Sequence, residues 1–181
     1  VTEDGDNGTF TLQFSHDIDS AYEIVYQTQS KDRVYAARTI ENTVTYGTHF
    51  KSANQGLQQV IFKKNNGVVN YKDKKISWSL DVNADHQPMS GIVITDTYDP
   101  TQGLTFLPES LQIDGFTEGV DYKVEASPDY SSGFKITFLK PDAVTSRFSV
   151  RYQTSFDSTV IAANKLTQYV NDAKIDWTEK P

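Results

Sequence analysis

The sequence contains no cysteine, which excludes disulfides, a thiolate nucleophile and a thiolate-held zinc. Positive charge is scarce: 17 Lys and Arg stand against 24 Asp and Glu, for a net charge of −7. Phosphate recognition needs clustered Lys and Arg, so no nucleic-acid partner is expected. No apolar run approaches the ~18 residues a membrane-crossing helix requires, and no membrane insertion is expected. The first residues from Val1 lack a basic stretch and an apolar core, so no signal peptide is expected within this segment. His16, His49 and His86 lie in separate segments without ligand spacing, so neither a metal site nor any other cofactor is expected. A Gly-rich phosphate loop and a Gly-x-Ser-x-Gly elbow are also missing. Nothing marks an enzyme acting on an external substrate.

What is abundant is aromatic: ten Tyr and ten Phe in 181 residues, a composition suited to half-buried sheets. The dominant period is two. Phe10, Leu12 and Phe14 alternate with polar residues, as do Tyr22, Ile24 and Tyr26. The same texture returns at 76–82, 92–95, 134–138 and 148–152. Turn clusters at 3–8, 65–67, 99–103 and 127–133 separate these segments. Only Ser158 to Leu166 suggests a short helix. Many short alternating strands predict an all-β, antiparallel β-sandwich.

The chain also repeats itself. Phe-Thr-Leu-Gln-Phe at 10–14 matches Phe-Lys-Ile-Thr-Phe at 134–138, and Tyr22 to Thr28 matches Phe148 to Thr154. Further on, Ile-Glu-Asn-Thr-Val at 40–44 matches Tyr-Val-Asn-Asp-Ala at 169–173. Residues 1–56 therefore read as the C-terminal half of one repeat, and 57–181 as a complete one. The apolar faces of that half-repeat need a second sheet to cover them. Without it, residues 1–56 are expected to fray or to be completed by strand exchange with another chain.

Three segments in order resemble a known family: Val60 to Gly67, Lys75 to Asn83 with Ile92 to Asp96, and Tyr169 to Ala173. Together they are similar to the collagen-binding-adhesin type of immunoglobulin-like domain in Gram-positive wall-anchored surface proteins. The segment Phe148-x-Val-x-Tyr-x-Thr154 resembles the strand preceding that family's terminal Asn strand. The resemblance implies an immunoglobulin-like fold in tandem repeats, with the first repeat incomplete here. It also implies an extracellular location, anchored to the cell wall through a segment outside this chain. The implied partners are neighbouring repeats and a host extracellular-matrix protein.

The resemblance further implies a spontaneous Lys–Asn isopeptide bond between first and last strands, promoted by a buried acid. Carried over residue by residue, the amine is Lys64, the promoting acid Asp96 and the acceptor Asn171. Lys63 competes with Lys64; alternation puts Lys64 on the face of Val60 and Phe62, which carries more bulk than Ile61 alone. A lysine among aromatics loses solvation, which favours its neutral, nucleophilic form. A protonated carboxyl in the same site polarises the carboxamide. By loop-closure entropy a tie across about 100 residues is worth about 4–5 kcal/mol, if a disulfide is a fair analogue. In the first repeat only Asn42 survives of this triad, an orphan for which no intact bond within the chain is expected.

Other readings compete. Each triad residue has an ordinary role available: an exposed strand-end lysine, a turn-opening Asp, an Asn bonded to nearby backbone. Residues 4–8 and 81–85 are rich in oxygen ligands but do not follow a twelve-residue calcium loop. Trp78 and Trp177 raise the alternative of a carbohydrate-binding β-sandwich. Yet Trp78 alternates with Ile76 and Leu80, which assigns it to the core, and Trp177 is expected to pack at a module junction. A glycan hydrolase would need two paired pocket carboxylates.

Overall fold

The computed structural model describes residues 1–4, 8–29, 34–165 and 167–179. The chain divides into two compact units, 1–33 and 34–181.

In the first unit, strands β1 (Thr2–Asp4) and β2 (Thr9–Thr11) form a short antiparallel hairpin. The expected strands extending to Phe14 and over 22–28 are not formed; residues 12–29 carry no regular element. The alternating side chains nevertheless pair. The Phe10 and Tyr26 rings lie 4.9 Å apart, and those of Phe14 and Tyr22 5.5 Å apart. Phe10, Leu12, Phe14, Tyr22, Ile24 and Tyr26 all remain exposed. The pattern for a half-buried sheet is present, but among the described residues no second layer removes these faces from water, and a lone strand pair is marginal.

The second unit begins with a hairpin of β3 (Arg38–Tyr46) and β4 (His49–Leu57), turned at Gly47 with φ +58°. Its residues are exposed along nearly their whole length.

A sandwich follows. One sheet orders β5 (Phe62–Lys64), β7 (Lys75–Val82), β12 (Phe148–Phe156) and β9 (Leu104–Ile113), with β6 (Val68–Asn70) also pairing with β7. The other orders β10 (Tyr122–Ala126), β11 (Gly133–Phe138), β8 (Met89–Thr97) and β13 (Asp172–Glu179). Every pairing in both sheets is antiparallel. The predicted helix is α1 (Ser158–Asn164).

Strict alternation builds the core. Ile76, Trp78, Leu80 and Val82 from β7 face Ile92 and Ile94 from β8, with Phe134 and Ile136 from β11. Trp78 is 8% exposed, and its Nε1 donates to Thr154 Oγ1 at 3.0 Å. The sequence assignment of this tryptophan to the core holds. Gly67, between β5 and β6, lies so close to β7 that a Cβ there would sit 2.7 Å from Ile76 and the Trp78 ring. Both edge strands β5 and β13 thus border the same opening between the sheets, where the candidate site lies.

Candidate functional site

Lys64, Asp96, Tyr152 and Asn171 come together between the sheets, one from each of four strands or strand ends. Lys64 closes β5, and Asn171 directly precedes β13. Asp96 continues the inward series Ile92, Ile94 on β8 and is 0% exposed. Tyr152 follows Phe148 and Val150 on the inward face of β12 and is 1% exposed. A carboxyl at an otherwise apolar inward position costs several kcal/mol if charged and unpaired, so its partners decide the chemistry.

Those partners are close. Lys64 Nζ donates to Asp96 Oδ2 at 2.5 Å and to Tyr152 Oη at 2.9 Å. The Tyr152 hydroxyl donates to the same Asp96 oxygen at 2.5 Å. Asn171 Nδ2 donates to Tyr152 Oη at 3.1 Å. Around them stand rings: Nζ lies 5.4 Å from the Trp78 ring and 5.6 Å from that of Tyr152. Phe106 and Phe134 stack at 3.9 Å, and Phe134 meets Tyr152 edge-on at 4.9 Å.

This enclosure sets the protonation. Burial pushes the Lys64 amine below its ordinary range, against the pull of Asp96. Burial pushes Asp96 above the usual carboxylate range despite Lys64, Tyr152 and Asn171. Both directions favour a neutral amine beside a protonated acid. Tyr152 is held well above its ordinary value by burial and by the Asp96 charge, so its hydroxyl keeps its proton. Two buried oxygens, Asp96 Oδ1 and Asn171 Oδ1, have no hydrogen-bond partner.

Lys63 points the other way: it is exposed, opposite Asp81 in the β5–β7 register. Of the two lysines it is Lys64 that faces Asp96, but the neighbours expected on its face differ. Ile61 is 3% exposed while Val60 is 46% exposed, because regular alternation starts only at Phe62. Asn42 stands exposed in the middle of β3, opposite Ala53 of β4. Tyr152 was not singled out from sequence as a site residue. The available signal was its inward place on β12 and its match to Tyr26 in the repeat, since a buried hydroxyl needs partners.

Of the two oxygen-rich segments, residues 5–7 of the first lie outside the described residues, and the second has structural employment. Asp81 pairs with Arg147 and accepts from Asn65, while buried Asn83 binds the Gln87 and Val144 backbone. Asp85 accepts from Gln87. Among the described residues no three His, Cys, Asp or Glu side chains cluster as a metal site. Trp177 is half-buried, with its ring 6.2 Å from Tyr35. Neither tryptophan forms an exposed platform for a sugar. A groove of about 880 Å³, lined by Asn65, Gly67, Trp78, Tyr169 and Asn171 among others, opens beside the Lys64 amine.

A collagen binding domain profile matches residues 58–179, about two thirds of the sequence and the whole sandwich. The chain belongs to the collagen-binding-domain family. Solved structures agree on the fold. The collagen binding domain of Erysipelothrix rhusiopathiae surface protein RspB superposes with a TM-score of 0.50 at 15% identity. That match covers 81% of this chain and 51% of RspB. The ACE19 collagen binding subdomain of the Enterococcus faecalis surface protein ACE gives 0.50 at 20%, over 66% of this chain and 86% of its own. A longer ACE structure, described as binding its ligands by the collagen hug, gives 0.52 at 20%, over 80% and 54%. The chain thus spans about half the length of the RspB and longer ACE structures. No curated protein matches it. Members of the collagen-binding-domain family are adhesins rather than enzymes, and the antiparallel immunoglobulin-like sandwich is the fold this chain shares with them.

Proposed function

We propose that this chain is an adhesion module of a bacterial surface protein that attaches to a host extracellular-matrix protein of the collagen class. We further propose that its sandwich is closed by an amide between Lys64 and Asn171, promoted by Asp96. The observation that carries the second reading is the cluster in which an amine, a fully buried acid and a carboxamide are joined through one tyrosine hydroxyl. The adhesive reading is supported by the family match over 58–179.

The chemistry balances within the site. Lys64 passes one proton to Asp96, leaving a neutral amine and a neutral acid. The amine attacks Cγ of Asn171 while the Asp96 proton steadies the developing charge on Oδ1. The Cγ–Nδ2 bond breaks and ammonia leaves, with the groove beside Lys64 as its exit. A buried ion pair is thereby exchanged for an amide that carries no charge.

Residues 1–56 fit the C-terminal half of a preceding repeat, with its apolar faces open to a partner strand set, and 57–181 a complete one. In this reading the protein is exported and held at the cell wall through a segment beyond residues 1–181.

The deciding experiment is the intact mass of the denatured chain. A deficit of one ammonia, abolished in Asp96→Ala, is expected; a full mass in the parent chain removes the isopeptide reading. Solid-phase binding to immobilised collagen tests adhesion separately. No saturable binding, in a chain whose fold is verified by its thermal transition, removes the collagen reading.

A further inference from the structure

We propose that the Tyr152 hydroxyl carries the proton from the attacking nitrogen to the leaving nitrogen when the Lys64–Asn171 amide forms. This inference rests on the isopeptide reading above. Its basis is position: Oη lies 2.9 Å from Lys64 Nζ, the nitrogen that must lose a proton. It lies 3.1 Å from Asn171 Nδ2, the nitrogen that must gain one. The third capacity of the hydroxyl is spent on Asp96 Oδ2 at 2.5 Å. One donor and two acceptor sites are all that a phenol has, and here each is engaged by a group of the reaction.

The step needs such a carrier. When neutral Nζ bonds to Cγ, the adduct holds a cationic Nζ, an anionic Oδ1 steadied by the Asp96 proton, and an Nδ2 that has become basic. Nδ2 leaves as ammonia only after receiving a proton. Direct passage from Nζ to Nδ2 runs through a strained four-membered arrangement, N–C–N–H. Through Oη the path becomes six-membered: once Nδ2 has become basic, the hydroxyl proton turns from Asp96 Oδ2 to Nδ2, and Oη takes a proton from Nζ in its place. The C–N bond then breaks, Oδ1 returns to a carbonyl, and both the phenol and the Asp96 acid end as they began. No further reactant is required.

The ring is held for this task. Tyr152 is 1% exposed and packed edge-on between Phe106 and Phe134, at 5.9 Å and 4.9 Å. Its rotamer is therefore fixed by packing rather than by the hydroxyl, and Tyr152→Phe is expected to keep the fold.

The test follows ammonia loss by mass in full-length chain freshly made by cell-free translation. The parent chain must first show the loss; a full mass there removes the underlying reading and this inference with it. Given that loss, Tyr152→Phe is expected to slow it by about 10²-fold or more, the usual contribution of a placed acid–base group. A rate within about twofold of the parent's, on the same scale, overturns the relay and leaves the amide intact. To separate proton transfer from mere orientation of Asp96, 3-fluorotyrosine is placed at 152, which keeps every hydrogen bond but makes the phenol more acidic. A changed rate supports the relay and an unchanged one overturns it. The fluorotyrosine comparison decides alone if Tyr152→Phe does not fold.

Discussion

Gly133 lies against the backbone of Asp96: a Cβ built on it would sit 2.1 Å from the Asp96 carbonyl oxygen. The two strands approach this closely because Gly133 has φ +148°, a region that side chains rarely adopt. One register step further, Phe134 is paired directly with Asp96. Gly133→Ala is thus expected to push β11 from β8 at the acid itself. A loss of about 2 kcal/mol or more is expected from backbone strain and overpacking together. Urea unfolding measures it, and an unchanged midpoint contradicts the close approach.

The two adjacent lysines give a sharp contrast. Lys63→Met alters an exposed residue and is expected to leave the ammonia deficit complete. Lys64→Met removes the amine that touches Asp96 and Tyr152, and the full mass is expected. Peptide mapping of the parent chain identifies the joined lysine independently. A persistent deficit in Lys64→Met would move the bond to another amine.

Asp96 predicts a particular pH dependence once its partner is gone. In Lys64→Met the carboxyl keeps the burial that raises its pKa and loses the cation that lowered it. A folded-state pKa above the unfolded value means the folded protein holds the proton longer. The stabilisation is then full below the ordinary Asp value of 3.8 and is lost as pH rises through the folded value. Lys64→Met should therefore melt progressively lower than Lys64→Met/Asp96→Asn as pH increases from about 4 toward neutrality. Taking the difference between the two variants cancels the surface carboxylates, several of which shift in the opposite direction. A pH-independent difference would show Asp96 to be solvated.

Thr154 Oγ1 accepts from the Trp78 indole at 3.0 Å, from a position that is 0% exposed. Thr154→Val retains the shape and removes the oxygen. A cost of about 1–3 kcal/mol is expected for the stranded N–H, measured by urea denaturation. A neutral result would place another acceptor within reach of the indole.

The central strands were legible because inward and outward positions alternate with different chemistry. In β7, β8, β11 and β12 the inward series is largely apolar, and three of its exceptions, Asp96, Tyr152 and Thr154, make buried polar contacts. Residues 22–28 show the limit of the same rule. Their alternation is as regular as that of β12, yet no strand forms, since period alone does not supply a covering layer. The pairing of β3 with β4 was not read from sequence: Ile40, Val44 and Tyr46 alternate along β3, but His49 to Leu57 of β4 shows no matching apolar series. Lys64 was reached through motif order, with the wrong neighbour assigned to the core. Tyr152 was hidden because a tyrosine in a strand looks like packing until its hydroxyl is seen to face three polar partners.

The placement of Lys64 at the end of β5 and Asn171 at the start of β13 has a consequence for extensible length. Between them lie residues 65–170, which hold β6 through β12 and nearly the entire core. Fully drawn out, such a segment reaches on the order of 360 Å at about 3.4 Å per residue. The proposed amide would take all of that out of the load path between the terminal strands. What remains to pay out is the stub of β5 and the eight residues of β13, on the order of 30 Å. A tether built this way lengthens by a strand, not by a domain.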